Sequence, residues 1–225
     1  MLYHDDKDLE QSPVVANCCM NRERELSGTN GYDVEIGFRP LAFLEGKVSL
    51  NGKARWLDLC CGTGKGLVQA SAIIERDHLP VEIVGVDLVD MFFPSSFKQL
   101  TLIEASLTTW NPVGAFDLIT CIHGLHYIGD KLGLIARACS WLNNDGLFVA
   151  NLDTGNLRFD PDGSPSRIFA KELRKAGIEY QPSKRLIRCQ GHRELSLPFV
   201  YVGADDQAGP NYTKQPVVNS YYERR

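Results

Sequence analysis

The feature of this sequence that most constrains its fold is a series of short apolar runs separated by helical stretches. Residues 64–78 and 130–142 lie between such runs and carry apolar side chains at helical spacing. Strands that are apolar along their whole length and are joined by helices predict a doubly wound α/β fold, with a mostly parallel sheet and helices on both faces. The predicted strands are RWLDLC, VEIVGVDL, LTLIEAS, FDLITCI and GLFVANL.

The flanking segments have a different character, and they divide the chain into three predicted parts. Residues 1–50 predict an N-terminal helical extension, broken at GTNGY, and residues 51–206 form the sheet domain. Late in that domain a helix is predicted over residues 164–177, with Ser164 as its N-cap. The runs KRLIRCQG and RELSLPFVYVGA follow and predict a C-terminal antiparallel hairpin, whereas residues 207–225 predict an irregular tail.

The first predicted strand ends in a glycine-rich turn, WLDLCCGTGKG, over residues 56–66. Parallel sheets of this kind bind ligands at the carboxyl ends of their strands, close to the point where strand order reverses. Gly62 and Gly64 leave the turn without side chains, so a ligand can approach the backbone and the start of the next helix. The alternative is a tight turn that needs glycine for its dihedral angles alone.

The spacing in this turn argues against two common phosphate sites. A P-loop needs GK followed by Ser or Thr, but Lys65 is followed by Gly66. A dinucleotide fingerprint needs a third glycine where Leu67 stands. What remains is an acid, a small residue and a Gly-x-Gly pair, running from Asp58 to Gly64.

This pattern resembles the first motif of the class I S-adenosylmethionine-dependent methyltransferases. FDLITCIHGLHYIGD resembles the family's fourth motif and LNNDGLFVANL its fifth, so the resemblance covers about Arg55 to Leu152. It implies a Rossmann-like fold with S-adenosylmethionine as the cofactor. A carboxylate at Asp58 would attract the cofactor's ammonium group, whereas it would repel a pyrophosphate.

The resemblance also implies a set of cofactor-binding residues. Asp87 would accept hydrogen bonds from the ribose hydroxyls, although an acid there also suits a dinucleotide site or a helix cap, and Leu88 would pack on the adenine. The family has an acid where Ser106 stands, so this serine would accept the adenine amino hydrogen bond without charge. The whole predicted set is Asp58, Cys60, Gly62, Thr63, Gly64, Asp87, Leu88, Ser106, Leu107 and Cys121.

The loop after the fourth strand faces the methyl group in this family, and it supplies the candidates for catalysis. Methyl transfer is an in-line displacement that needs a base only where the acceptor must lose a proton. His123 is the preferred base or orienting residue and Tyr127 the second candidate, while a backbone-bonded structural histidine is the alternative for His123. His126 is expected to pack, and Asp153 could face the acceptor. No metal site is predicted.

The segment before the glycine turn, NRERELSGTNGYDVEIGF, predicts a lid over cofactor and acceptor. Its charged residues Glu23 and Arg24 are interpreted as a solvated helix face. The polar residues expected to reach the cofactor carboxylate or an acidic acceptor are Asn21, Arg22, Asn30 and Tyr32.

Composition narrows the partners. Lys and Arg total 24 against 28 Asp and Glu, a net charge of −4, which argues against nucleic acid. There is no apolar run of the roughly 18 residues that a membrane helix needs, and the acidic start is unlike a signal peptide. Seven cysteines without a CxxC pair predict reduced thiols in the cytoplasm. A monomer or homodimer is expected.

Together these features predict a methyltransferase that acts on a small-molecule acceptor at oxygen or nitrogen. A non-catalytic module that binds S-adenosylmethionine or S-adenosylhomocysteine is the first alternative, favoured if Tyr32 or the tail fills the space over the methyl group. A nicotinamide-dependent oxidoreductase is the second alternative. It is disfavoured because Leu67 stands where the dinucleotide fingerprint needs a glycine.

Overall fold

A computed structural model describes residues 5–16, 23–159 and 168–225, and its central element is a seven-stranded sheet. The strands of the described residues are β1 (Ala54–Leu59), β2 (Val81–Asp87), β3 (Leu100–Glu104), β4 (Phe116–Cys121), β5 (Leu142–Asn151), β6 (Leu157–Phe159), β7 (Glu179–Gln181), β8 (Leu186–Gln190), β9 (Phe199–Asp205) and β10 (Asn219–Arg224). The sheet order is β3-β2-β1-β4-β5-β8-β7. Strands β1 to β5 run parallel, while β8 is antiparallel to both β5 and β7. The predicted doubly wound, mostly parallel sheet is confirmed.

Helices cover both faces of this sheet, as the apolar strands require. They are α1 (Asp6–Glu10), α2 (Tyr32–Ile36), α3 (Pro40–Asn51), α4 (Lys65–Arg76), α5 (Lys131–Ser140) and α6 (Ile168–Lys175), with 3-10 helices at Gly124–Tyr127 and Thr154–Asn156. Side chains alternate along a strand, so Trp56 packs with α3 and α4 whereas Leu57 packs with α5 and α6. The sheet is therefore the floor on which both helical layers rest.

The C-terminal part differs from the prediction in its strand pairing. An antiparallel hairpin is present, but β7 and β8 form it. The second predicted hairpin strand, β9, instead pairs antiparallel with β10, and β10 pairs parallel with β6 in a separate three-stranded sheet. Strand β10 lies in the tail that was predicted to be irregular. That prediction was wrong because Tyr221 and Tyr222 are core residues, 3% and 1% exposed.

The N-terminal segment is helical in short pieces, with the predicted break before α2. Gly31 is the residue before that helix, and α1 packs on β9, where the Tyr201 hydroxyl donates to Asp6 Oδ1 at 3.0 Å. Three sequence predictions, for Ser164, Asn21 and Arg22, lie outside the described residues.

Two further findings concern the described ranges only. No helix there is long and apolar enough to cross a bilayer, and no group of three His, Cys, Asp or Glu side chains is arranged to hold a metal ion. The cysteines at positions 60, 61, 121, 139 and 189 carry free thiols.

Candidate functional site

The strand order reverses between β1 and β4, and a cleft opens at the carboxyl ends of these strands. It consists of two adjoining cavities, a smaller one of about 60 Å³ and a larger one of about 300 Å³. Cys60, Asp87 and Tyr127 line both, so the two cavities form one continuous site. This is the position at which open α/β sheets bind their ligands.

The glycine turn and the end of β2 build the floor of the cleft. Gly62 lines the larger cavity with φ +60°, and Cys60 adopts a left-handed conformation with φ +56°. Asp87 holds this turn, because its Oδ2 accepts a hydrogen bond from Gly62 N at 2.8 Å while its Oδ1 accepts one from Val89 N at 3.2 Å. The carboxylate therefore fixes the floor and also faces the space above it.

The other two glycines of the motif have structural roles. Gly64 has φ +68°, and a Cβ there would lie 3.0 Å from a methyl of Leu102 rather than in the lining of the cleft. Conformation and packing therefore both require glycine at this position, and the contact of Gly64 with a cofactor stays a prediction. A Cβ on Gly66 would lie 2.8 Å from Tyr32 Cε2 and 3.1 Å from the carbonyl oxygen of Arg24. Gly66 thus lets the N-terminal segment close over the turn.

Asp58 lies beneath the cleft and is 1% exposed. Its Oδ2 accepts a hydrogen bond from the Tyr32 hydroxyl at 2.5 Å, and its Oδ1 accepts one from Thr120 Oγ1. Burial raises the pKa of this carboxyl to about 7. Asp58 is not among the lining residues of either cavity, whereas its partner Tyr32 lines the larger one. The predicted attraction of a cofactor ammonium by Asp58 stays a prediction. Asp58 thus acts on the cleft by holding that phenol.

The remaining residues of the turn separate into lining and support. Cys60 lines the cleft, and Cys121 lies beneath it, fully buried. The hydrogen bond between Cys60 and Cys121 and the burial of Cys60 hold the pKa of the Cys60 thiol well above its usual range, so this thiol stays protonated. Thr63 contributes its carbonyl to Phe93 N at 2.8 Å and is not among the lining residues.

The smaller cavity is mostly apolar, and the predicted adenine residues Leu88 and Leu107 line it together with Ala105. Leu9 and Val15 of the N-terminal segment form the facing wall. A flat apolar ring system suits such a cavity. Ser106 lies behind the lining, and its hydroxyl donates to Glu10 Oε1 at 2.5 Å.

His123 lies at the end of β4 in a left-handed conformation, φ +60°, which is uncommon outside glycine. Its backbone N–H donates to Asn151 Oδ1 at 3.1 Å, and the ring faces the larger cavity. Its Nε2 lies 3.2 Å from Glu35 Oε1 and its Nδ1 lies 3.3 Å from the Tyr212 hydroxyl. The His123 ring is thus hydrogen-bonded to side chains, whereas a purely structural histidine was predicted to bond the backbone.

The charge on Glu35 decides how the His123 ring is oriented. The hydrogen bond from His123 lowers the pKa of Glu35, so this carboxylate is ionised and accepts Nε2–H. Nδ1 is then the nitrogen left to accept a proton, and the Tyr212 hydroxyl lies 3.3 Å from it. The arrangement is that of a carboxylate-oriented histidine.

The other candidates of this loop differ in position. Tyr127 lines both cavities, whereas His126 is 1% exposed and bonds the Tyr212 hydroxyl at 3.1 Å. Burial lowers the pKa of His126 well below its usual range, so this imidazole is neutral. Asp153 caps the next 3-10 helix and lies 3.4 Å from Arg185 Nε. His126 and Asp153 are supporting residues in this structure.

A family model described as a methyltransferase domain matches residues 32–188. The chain belongs to this methyltransferase family. Its class is that of the S-adenosylmethionine-dependent enzymes with a Rossmann-like fold, and this decides against the nicotinamide-dependent alternative.

Individual proteins are more distant. The trans-aconitate 2-methyltransferase of Escherichia coli (strain ATCC 8739) is 25% identical over 138 residues, which are 60% of this chain and 51% of the relative. The chain spans about half the length of such relatives. Among solved structures, the N-methyltransferase NodS from Bradyrhizobium japonicum is similar at a TM-score of 0.43 and 14% identity, over 76% of this chain and 97% of NodS. The plantazolicin methyltransferase BpumL is similar at 0.39 and 14%, over 48% and 43%.

The cleft carries groups whose chemistry fits S-adenosylmethionine, the cofactor of this family. Asp87 offers carboxylate oxygens beside the glycine turn, where a ribose diol needs acceptors, and the apolar cavity suits a purine. Arg24 lines the larger cavity with a side chain only 14% exposed, so a guanidinium is available for the carboxylate of the methionine part.

Several residues of the methyltransferase site were missed by sequence reasoning. Arg24 was interpreted as solvated, yet its Nη1 lies 3.8 Å from Glu35 Oε1 and 3.4 Å from Asn30 Oδ1. Glu35 was not singled out, nor were Thr213 and Gln215, which reach the larger cavity from the tail. The signal that pointed to this region was the polar, glycine-containing segment before the turn. Its residues Asn30 and Tyr32 line the larger cavity, and their contact with a cofactor or acceptor stays a prediction.

Proposed function

We propose that this methyltransferase transfers a methyl group from S-adenosylmethionine to an oxygen or nitrogen atom of a small-molecule acceptor. The observation that carries the proposal is His123, held at the end of β4 by Glu35 with its ring facing the cavity next to the glycine turn. When bound, S-adenosylmethionine supplies a methyl group on a sulfonium, ready for in-line displacement.

The chain's own residues then have three tasks. Asp87, Leu88 and Leu107 bind the adenosine part, and Arg24 pairs with the methionine carboxylate. Tyr32, fixed by Asp58, faces the same part of the cleft. His123 Nδ1 takes the proton of an acceptor that must lose one, while Glu35 stabilises the imidazolium that forms. Tyr127, which borders both cavities, positions the acceptor beside the methyl group.

Two observations support a small acceptor. Relatives are named for trans-aconitate, a small acid. The net charge of −4 disfavours nucleic acid. A cytoplasmic location and a monomeric or homodimeric state remain predictions.

One observation favours the alternative, a module that binds the cofactor without turnover. The Tyr212 hydroxyl occupies the position at His123 Nδ1 where an acceptor proton would arrive. If Tyr212 stays there, no acceptor can use this nitrogen directly.

The deciding experiment measures formation of S-adenosylhomocysteine from S-adenosylmethionine with small carboxylic acids, phenols and amines as acceptors. Wild type, His123→Ala and Tyr212→Phe are compared on any acceptor that turns over. A base at this position is worth about 10²–10⁴ in rate, so His123→Ala should lower kcat by that factor with little change in cofactor affinity. The kcat of Tyr212→Phe should fall by the same factor if the phenol relays the proton. It should stay near the wild-type value if the acceptor displaces the Tyr212 side chain. Cofactor binding without turnover on the whole panel would favour the binding module.

A further inference from the structure

One wall of the apolar cavity comes from a segment far away in sequence, the N-terminal residues 5–16. Leu9 and Val15 line this cavity and are 2% and 6% exposed, so they are packed parts of the fold. They cluster with Ala204 and Val218 around the small sheet. The Tyr201 hydroxyl, bonded to Asp6 Oδ1, anchors the start of α1. The wall is therefore held in place by the protein itself.

This wall carries a carboxylate to the end of β3. Glu10 lines the cavity together with Leu107 and Thr108, and its Oε1 accepts a hydrogen bond from the Ser106 hydroxyl at 2.5 Å. An ionised carboxylate has about four acceptor positions, and the bond from Ser106 uses one of them. Glu10 keeps capacity to accept a further donor from within the cavity.

Ser106 itself has no such capacity. A hydroxyl has one proton and two lone pairs. The proton goes to Glu10, while Thr108 Oγ1 at 2.6 Å and Thr108 N at 3.1 Å occupy the lone pairs. The prediction that Ser106 accepts from the adenine amino group therefore does not fit the structure, and Ser106 acts as the support of Glu10.

We propose that Glu10 recognises the 6-amino group of the cofactor's purine, as a carboxylate supplied by the N-terminal helix where the end of β3 has only a serine. This inference rests on the proposed use of S-adenosylmethionine. An amino group donates to a carboxylate in a charge-assisted hydrogen bond, whereas a 6-oxo purine presents a second acceptor and is repelled. Glu10 is thus a determinant of purine specificity that lies outside the family's matched residues 32–188.

The test is calorimetric binding of three ligands: S-adenosylhomocysteine, its 6-oxo analogue S-inosylhomocysteine, and the analogue without a 6-substituent. Wild type should prefer the adenine form over the unsubstituted purine by roughly 10- to 150-fold, the range for a hydrogen bond to a charged group, and should bind the 6-oxo form most weakly. Equal binding of all three ligands by wild type would overturn the proposal without any variant.

Variants then locate the effect. In Glu10→Gln the amide can accept from an amino group or donate to an oxo group, so the preference should fall to within about threefold. Asp8→Asn, an exposed acid on the same helix, should keep the wild-type ratio. A Glu10→Gln variant that retains the full preference would reject Glu10 as its source. Failure of wild type to bind S-adenosylhomocysteine at all would instead overturn the proposed function, so the two failures are distinguishable.

Discussion

Replacing Asp87 separates the binding function of the cleft from the stability of its floor. The carboxylate is 5% exposed and bonds two backbone N–H groups, of Gly62 and Val89, while lining both cavities. Asp87→Ala leaves the Gly62 N–H without its partner. A buried unsatisfied donor costs about 1–3 kcal/mol, so the variant should unfold at a lower temperature even without ligand.

The effect on binding has a separate origin, and Asp87→Asn isolates it. One amide oxygen can still accept from Gly62, so much of the stability is retained, but the charge and the second acceptor are lost. Losing hydrogen bonds from a diol to a charged group is worth about 1.5–3 kcal/mol, which is a roughly 10- to 150-fold weaker Kd. Titration of S-adenosylhomocysteine in a calorimeter measures this, together with thermal melts of each apoprotein.

Asp90→Asn is the matched control, because Asp90 is an exposed acid three residues further on. It should change neither the melting temperature nor the Kd. The reasoning is refuted if Asp87→Asn melts cooperatively near wild type and binds S-adenosylhomocysteine within threefold of it. Asp87 would then support the glycine turn without contacting the ribose.

Three more predictions follow from the same cleft and its supports. Glu35→Gln removes the carboxylate that orients His123, so kcat on a confirmed acceptor should fall, and an unchanged kcat contradicts the pairing. Tyr32→Phe leaves the buried Asp58 without one donor and should destabilise the fold by about 1–3 kcal/mol in urea melts. The loss should be larger at pH 9 than at pH 6, because the Asp58 carboxyl is ionised above its pKa of about 7. An equal loss at both pH values would contradict this role of Tyr32. Burial lowers the pKa of Lys131 to about 7 from about 10.4, so the unfolded chain binds more protons than the folded one between these pH values. The contribution of Lys131 to the free energy of unfolding should therefore rise with pH between about 7 and about 10.4. Urea melts across this pH range should show that rise in wild type and not in Lys131→Met.

The sheet and the floor of the site could be predicted because their signals are local. Each parallel strand is a short apolar run, and the turn after β1 carries its glycines within a few residues. Asp87 and Leu88 follow from their place at the end of β2. His123 follows from its place at the end of β4, although its conformation and its partners do not.

The walls of the site could not be predicted, because they depend on contacts between distant parts of the chain. Nothing near Glu35 in the sequence indicates His123, which is 88 residues away, and Tyr212 joins them from the tail. Periodicity also missed β10, since its strand partners β6 and β9 are set by the packing of Tyr221 and Tyr222 and not by a turn. The predicted pairing of the late strands was wrong for the same reason.

The two chain ends are coupled to the cleft through one structure, the small sheet. Strand β10 pairs with β9, β9 carries the Tyr201 that anchors α1, and the chain between β9 and β10 supplies Tyr212, Thr213 and Gln215 to the cleft. Removing residues 207–225 would therefore disturb the purine wall as well as the acceptor side, and a loss of activity in such a truncation would not identify either. Single substitutions at Glu10 and Tyr212 separate the two effects, because each removes one hydrogen-bonding group while Tyr221 and Tyr222 stay buried.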